Sequence, residues 1–306
     1  MPVPPPLAAT DRTGRVEDLP EVQRLWAATF PHLPAPDLTA ALAEGRVLVQ
    51  VADEGAGSHR LVGAALVSPV ADAAAERRLT VLADAPERWA TVEASVARSL
   101  REQRVLAWHV VLREDASPPA EVLETAGYQV TGRSWGASLK AADVDRARLA
   151  RLVDRAAARG VHLRRLELRD AEAALRLLLD CRPDFPTTPA TPAPEPTVDS
   201  VRQAVSGHGR AAFGAFTASG EGLVGFTALE FDESGEVADT DVTAVAADQR
   251  GRGVASALKA FAVLDLLDRG VRCFRTGGAS VNEASLRANR RLGYAVEPVW
   301  TTWTRC

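Results

Sequence analysis

The chain has 306 residues, 46% of them hydrophobic and 25% charged, with a formal net charge of −4. That length suits one large domain or two ordinary ones, and the mild acidity excludes a general nucleic-acid binder, whose surface is strongly basic. No apolar run approaches the roughly 18 residues of a membrane span, and the opening Met-Pro-Val-Pro-Pro-Pro has neither the basic start nor the apolar core of a signal peptide. The three cysteines, Cys181, Cys273 and Cys306, lack metal or disulfide spacing, and the histidines His32, His59, His109, His162 and His208 are scattered. A soluble, cytoplasmic protein without a metal site or membrane attachment is expected. Lys140 and Lys259 are its only lysines, a bias we read as genome composition.

Residues 1–12 are Pro-rich and read as a disordered tip. Leu19, Val22, Leu25 and Trp26 recur at helical spacing within 17–29, and 37–45 reads as a short helix ending at a glycine. Residues 46–51 and 60–67 read as strands joined by a turn around Gly55 and Gly57.

The same order recurs later. Residues 161–168 read as a strand, 170–179 and 198–205 as helices, and 211–216 with 223–231 as a hairpin. Leu61-Val62-Gly63 echoes Leu223-Val224-Gly225, and Ala126-Gly127-Tyr128 echoes Leu292-Gly293-Tyr294. An internal duplication follows, with half-domains at 13–140 and 161–306 joined by an amphipathic connecting helix at 141–160. The Pro-rich stretch 183–196 can form neither a helix nor a central strand, because proline lacks an N–H. It is either a substrate-side loop or a disordered insertion.

The most informative stretch runs from Asp241 to Lys259. Val242, Ala244 and their neighbours alternate as a strand does; beyond Gly253, Val254, Leu258 and Phe261 follow a helical stripe. Between them lies Arg250-Gly251-Arg252-Gly253. Glycines ahead of a helix allow backbone N–H groups to approach an anion at the positive end of the helix, which suits a pyrophosphate. A surface turn with two solvated arginines is the other reading. The spacing matches neither a P-loop nor a dinucleotide-binding loop.

Arg250-Gly251-Arg252-Gly253-Val254-Ala255 resembles the acetyl-CoA signature of the GCN5-related N-acetyltransferases (GNAT). Thr243-Ala244-Val245 resembles the end of that family's fourth strand, and Asn282 to Tyr294 its segment of asparagine, short helix and Leu-Gly-aromatic. The resemblance covers residues 161–306. It implies an α/β (α+β) fold of two GNAT-like halves, each a mixed, mostly antiparallel sheet flanked by helices, and acetyl-CoA as co-substrate. It further implies cofactor contacts from Thr243, Ala244, Val245, Arg250, Gly251, Arg252, Gly253, Val254, Ala255, Ser256, Asn282 and Asn289, with the Val245 N–H polarising the thioester. For Asn282, a helix-capping role is equally good chemistry.

The chain departs from the family in two places. Asn289 stands where many members carry a tyrosine acid, and Thr276-Gly277-Gly278 offers no carboxylate on the fifth strand. Candidates for the base are therefore Asp241 and Asp239, which strict alternation would place on one face with Thr243 and Val245, with Glu230 and Asp232 behind them. A solvated acidic strand end is the alternative. In the first half the equivalent loop falls at Arg88 to Glu93, where Thr91 and Glu93 replace the glycines; that half is read as degenerate, with Glu93 placing negative charge where a diphosphate would sit.

The function implied is acetyl transfer to a primary amine of a small molecule or peptide, by direct attack in a ternary complex, in a monomer or homodimer. A non-catalytic acyl-CoA-binding or regulatory module is the alternative.

Overall fold

A computed structural model describes residues 9–31, 35–55, 58–70, 73–85, 88–100, 104–115, 120–186, 195–218 and 222–306. The chain divides into two compact units, one made of Met1–Arg133 with Trp300–Cys306 and the other of Ser134–Val299.

The first unit runs β1 (Ala9–Thr13), α1 (Leu19–Thr29), α2 (Leu38–Ala43), β2 (Val47–Gly55), β3 (Ser58–Val70), β4 (Ala73–Ala83), α3 (Trp89–Ser99), β5 (Ala107–Arg113) and α4 (Ala120–Thr125). Its sheet has the order β1-β2-β3-β4-β5-β13, the last being the terminal strand Trp300–Arg305. All neighbours are antiparallel except β4 and β5. Residues 9–12, expected within a disordered tip, belong to β1, because their backbone pairs with 49–52 of β2; residues 1–8 lie outside the described residues.

The second unit takes β6 (Gln129–Lys140) from Ser134 onward, then α5 (Arg146–Ala157), β7 (His162–Arg165), α6 (Ala171–Cys181), α7 (Val198–Ser206), β8 (Arg210–Phe216) and β9 (Leu223–Phe231). It continues through β10 (Val237–Val245), α8 (Val254–Asp268), β11 (Cys273–Ala279), α9 (Glu283–Leu292) and β12 (Ala295–Val296). The sheet order is β6-β11-β10-β9-β8-β7, with β12 also on β6, and only β10 and β11 run parallel. Two cores cover the faces of this sheet. One includes Leu149 of α5, Leu258 and Val263 of α8, and Phe213; the other includes Leu177 of α6, Val201 of α7, and Phe226. The helix expected at 141–160 is a 3-10 turn, Ala141–Asp143, followed by α5, which packs on α8. Among the described residues no helix is long and apolar enough to cross a membrane.

From β1 to β6 and again from β7 to the last strand, the chain follows one order: strand, two helices, three strands, helix, strand, helix, strand, with the two-residue β12 added before the last strand of the second pass. Local devices repeat too. Arg12 grips Asp18 with two bonds of 2.7 Å, and Arg164 grips Asp170 in the same way. Each aspartate also accepts a backbone N–H three residues back, from Arg15 or Glu167, and closes the entry to the following helix. Gly127 and Gly293 both take positive φ after a helix, and the tyrosines that follow, Tyr128 and Tyr294, are buried. The final strand of each repeat joins the other repeat's sheet: β6 pairs β11, and Trp300–Arg305 pairs β5.

This terminal strand also satisfies a buried charge. Glu93 of α3 is 3% exposed and accepts hydrogen bonds from the Tyr128 hydroxyl at 3.0 Å and from Arg305. Removing one partner of a buried pair strands the other and typically costs about 3–5 kcal/mol. Arg305→Met should therefore destabilise the first unit by about that amount in denaturant titrations, and adding Glu93→Gln should recover part of the loss.

Candidate active site

Parallel pairing of β10 with β11 covers Val237 to Asp239 against Cys273 to Arg275 and stops there. Beyond this point β10 stays paired with β9 as far as Val245, and β11 stays paired with β6 as far as Ala279. The two strands thus part as a fork. The Ala246 N–H donates to Val224 O on β9 at 2.9 Å, so alternation turns the N–H and C=O of Val245 and Thr243 away from β9, toward the fork. The Val245 carbonyl accepts from Arg250 Nε at 3.0 Å and from Cys181 Sγ at 3.4 Å.

At the open end of the fork stands the glycine loop. Gly251 and Gly253 have φ of +74° and +85°, the left-handed region that side chains disfavour, and a Cβ at either would meet nothing within 4 Å. Gly253 is the N-cap of α8 and gives it no side-chain cap. The first bond into the helix is Ala257 N–H to Gly253 O. The six consecutive N–H groups from Gly251 to Ser256 therefore have no acceptor among the described residues. Val254 and Ser256 turn their side chains into the core, leaving the backbone to meet a ligand.

Arg250 is otherwise engaged. Its guanidinium forms an ion pair with Asp184 at 2.7 Å and reaches Cys181 Sγ at 3.7 Å, which ties the loop to the end of α6. Arg252 is exposed, makes a long contact of 3.5 Å with Gln249, and accepts at its carbonyl from Arg159, just after α5, at 2.8 Å. Asn282 caps α9 by accepting the Ser285 N–H at 3.1 Å. Asn289 is fully buried, donates Nδ2 to the Ser285 carbonyl, and leaves Oδ1 without a partner among the described residues.

The expected single face for Asp239, Asp241, Thr243 and Val245 is not what forms. Asp241 is the extra residue of a bulge: Thr240 pairs with Leu229 and Val242 with Ala228, so alternation resets across it. Asp239 lies on the α6–α7 face with Val242 and Ala244, whereas Thr240, Thr243 and Val245 lie on the α8 face. Asp239 is held in a two-pronged pair by Arg275, at 2.9 and 2.5 Å, and Glu230 is bound by Arg210 at 3.0 Å. Asp232 closes its own turn through the Val237 N–H and the Ser234 hydroxyl, which hold its carboxyl below the usual range. Asp241 makes no hydrogen bond or ion pair among the described residues. It opens to solvent on one side and is crowded by protein on the other; burial raises its pKa, Glu230 adds to the rise and Arg210 opposes it.

In the first unit β4 and β5 also part after three parallel pairs, Glu76 to Arg78 against Ala107 to His109. There the residues beyond the fork, including Leu79, Val81, Leu82, Val110 and Leu112, are buried in the core. The loop expected at Arg88 to Glu93 is the opening of α3. Gly63 admits Val92 as Gly225 admits Val254, so Trp89, Ala90 and Thr91 are helical where Gly251, Arg252 and Gly253 form a loop. Glu93 is not presented to a ligand, because Arg305 and Tyr128 bury it.

Periodicity missed Lys259, on α8. It is 5% exposed, its Nζ donates to Thr276 Oγ1 at 3.2 Å, and it lies 5.7 Å from the ring centroid of Tyr294. The signal available was a lysine inside a helix whose neighbours are nearly all apolar.

Known proteins share this fold. Residues 171–294 match the model of the acetyltransferase (GNAT) family. A GCN5-related N-acetyltransferase from Sphaerobacter thermophilus aligns over 97% of this chain and 95% of its own, with TM-score 0.71 and 16% identity. A tandem GNAT protein from the clavulanic acid biosynthesis pathway aligns over 97% and 98%, with TM-score 0.62 and 18% identity. No curated protein matches the sequence significantly. Residues 171–294 thus match the GNAT family, within a fold that the whole chain shares with tandem GNAT proteins.

Burial lowers the Lys259 pKa from 10.5 to about 7, below its unfolded value. Unfolding then takes up a proton between those values, so stability should rise with pH from about 7 to 10.5. Lys259→Met should be more stable than the parent at pH 7, with the gap closing toward pH 10.5, as read by denaturant titration at several pH values.

Proposed function

We propose that the second unit is an N-acyltransferase that takes its acyl group from a coenzyme A thioester, acetyl-CoA being the simplest donor, and gives it to a primary amine of a small molecule or peptide. The run of free N–H groups from Gly251 to Ser256, at the mouth of a fork of two strands, carries this reading. Such a loop matches a pyrophosphate by geometry and by helix polarity, without requiring the side chain of Arg250.

In this reading the pantetheine arm lies along β10 and bonds to the backbone of Thr243 and Val245, whose polar groups face the fork. The Val245 N–H would stabilise the oxygen of the thioester carbonyl as charge develops on it. Asp241 is the favoured base: it is unpaired, its pKa is raised, and it sits at the bulge. It would accept the ammonium proton, directly or through a water, so that the neutral amine attacks. Asn289, with its N–H engaged and its carbonyl oxygen free, is a polar neighbour rather than a proton donor.

The acceptor would enter from the α6–α7 face, where Asp241 adds a negative charge to two Arg–carboxylate pairs and favours a cationic amine. Residues 187–194 of the Pro-rich stretch lie outside the described residues.

With a panel of primary amines and a thiol reagent reporting release of coenzyme A, Asp241→Asn should lower kcat by roughly a hundredfold and leave the KM for the donor nearly unchanged. Gly253→Glu should lose donor binding while keeping the parent's circular dichroism; unchanged donor affinity would remove the loop assignment. Donor binding without thiol release for any amine would favour a non-catalytic acyl-CoA-binding module.

A further inference from the structure

Arg159 reaches the glycine loop from outside it, from the turn between α5 and β7. That turn is fixed on both sides. α5 ends at Ala157, the Val161 N–H returns to the Ala156 carbonyl at 3.0 Å, and Gly160 takes a φ of +76° between them. Ala156 and Val161 are buried in the core that α5 shares with α8, while Arg159 itself is exposed. Its Nη1 donates to the Arg252 carbonyl at 2.8 Å, the one bond that this carbonyl accepts among the described residues.

This contact decides which way one peptide points. In a trans peptide the C=O and the N–H face opposite sides, so an Arg252 carbonyl turned toward Arg159 sets the Gly253 N–H on the side away from it. Gly253 is the left-handed residue that leads into α8, and its N–H is one of those without an acceptor among the described residues. Turning the peptide over alters only ψ of Arg252 and φ of Gly253, and glycine adopts negative φ as readily as positive. The turned-over loop would point a carbonyl oxygen at the place where an anion is to sit. Neither a Cβ at Gly253 nor a side-chain cap on α8 stands against that. The bond from Arg159 does, because the turn would break it and leave the guanidinium facing an N–H. A donor on the carbonyl also polarises the N–H across the peptide and makes it a stronger donor.

We propose that Arg159 is a positioning residue for the diphosphate of the acyl donor: it locks the Arg252–Gly253 peptide with its N–H toward the ligand and makes no ligand contact of its own. This rests on the reading of the glycine loop as the diphosphate site of an acyl-CoA, and it adds a residue from outside that loop to its machinery.

The test is calorimetric titration of the full chain with acetyl-CoA and with dephospho-acetyl-CoA, which lacks the phosphate on the ribose, joined to amide NMR spectra of protein labelled at glycine. Loss of one oriented N–H predicts that Arg159→Met weakens both donors by the same factor, about tenfold. Arg159→Lys, which keeps a donor on the carbonyl, should recover most of the affinity. In the donor-free protein the Gly253 resonance should move in Arg159→Met and return toward its parent position in Arg159→Lys, with Gly63 and Gly127 unmoved. A loss confined to acetyl-CoA would make Arg159 a ligand of the ribose phosphate and overturn the inference. Unchanged affinity in Arg159→Met, or a Gly253 resonance that the substitution leaves in place, would overturn it too. Failure of the parent chain to bind either donor would instead overturn the reading of the loop, and the Gly253 resonance, read without ligand, would still decide whether Arg159 sets the peptide.

Discussion

The parting of β10 from β11 after three parallel pairs is the constraint on which the second unit depends. A parallel pair that continued to the strand ends would satisfy its own backbone and leave nothing for a ligand. Here β9 and β6 hold the outer edges of the two strands, so the inner edges carry polar groups that the facing strand does not satisfy. Unpaired backbone groups at that depth are expensive unless something bonds to them. A gap of this kind suits an extended ligand, as proposed above, and the glycine loop at its mouth offers N–H groups suited to an anionic end.

The two repeats show how a single fold can keep or lose that property. Both retain the divergence, the Arg–Asp clamp at the helix entry, and the close approach of a helix to a strand glycine. In the first repeat the residues beyond the divergence, Leu79, Val81, Leu82, Val110 and Leu112, are buried in the core, and the helix starts three residues early, so the loop is consumed. Each unit takes its last strand from the other repeat, which ties the two folding problems together. Arg305, near the end of the chain, neutralises Glu93 in the first unit.

The features legible in the sequence were local ones. Left-handed glycines before a helix, hairpins, caps and the amphipathic α5 follow from residues within a turn or two of one another. Asp241 was visible as a carboxylate on a strand, but the bulge that separates its surroundings from those of Val245 is a matter of register with β9, which one strand's alternation does not encode. Arg250 looked like a phosphate ligand because its partner Asp184 lies 66 positions away in the chain. The exchange of final strands was hidden because β6 reads as an ordinary closing strand of its own half. Lys259 was lost among the stripe of Val254, Leu258 and Phe261, since the chain gave no sign that α8 is covered by α5 as well as by the sheet.

Electrostatics divides the second unit by face. The α6–α7 side carries Asp241 near two arginine–carboxylate pairs, Arg275–Asp239 and Arg210–Glu230. The α8 side carries the buried Lys259, whose Nζ donates to Thr276. Between them runs the fork, with its backbone amides. The central claim is that one repeat binds an acyl-CoA and the other does not. Calorimetric stoichiometry on the full chain with acetyl-CoA tests it most directly: the account predicts one site per chain, and two sites, or none, would contradict it.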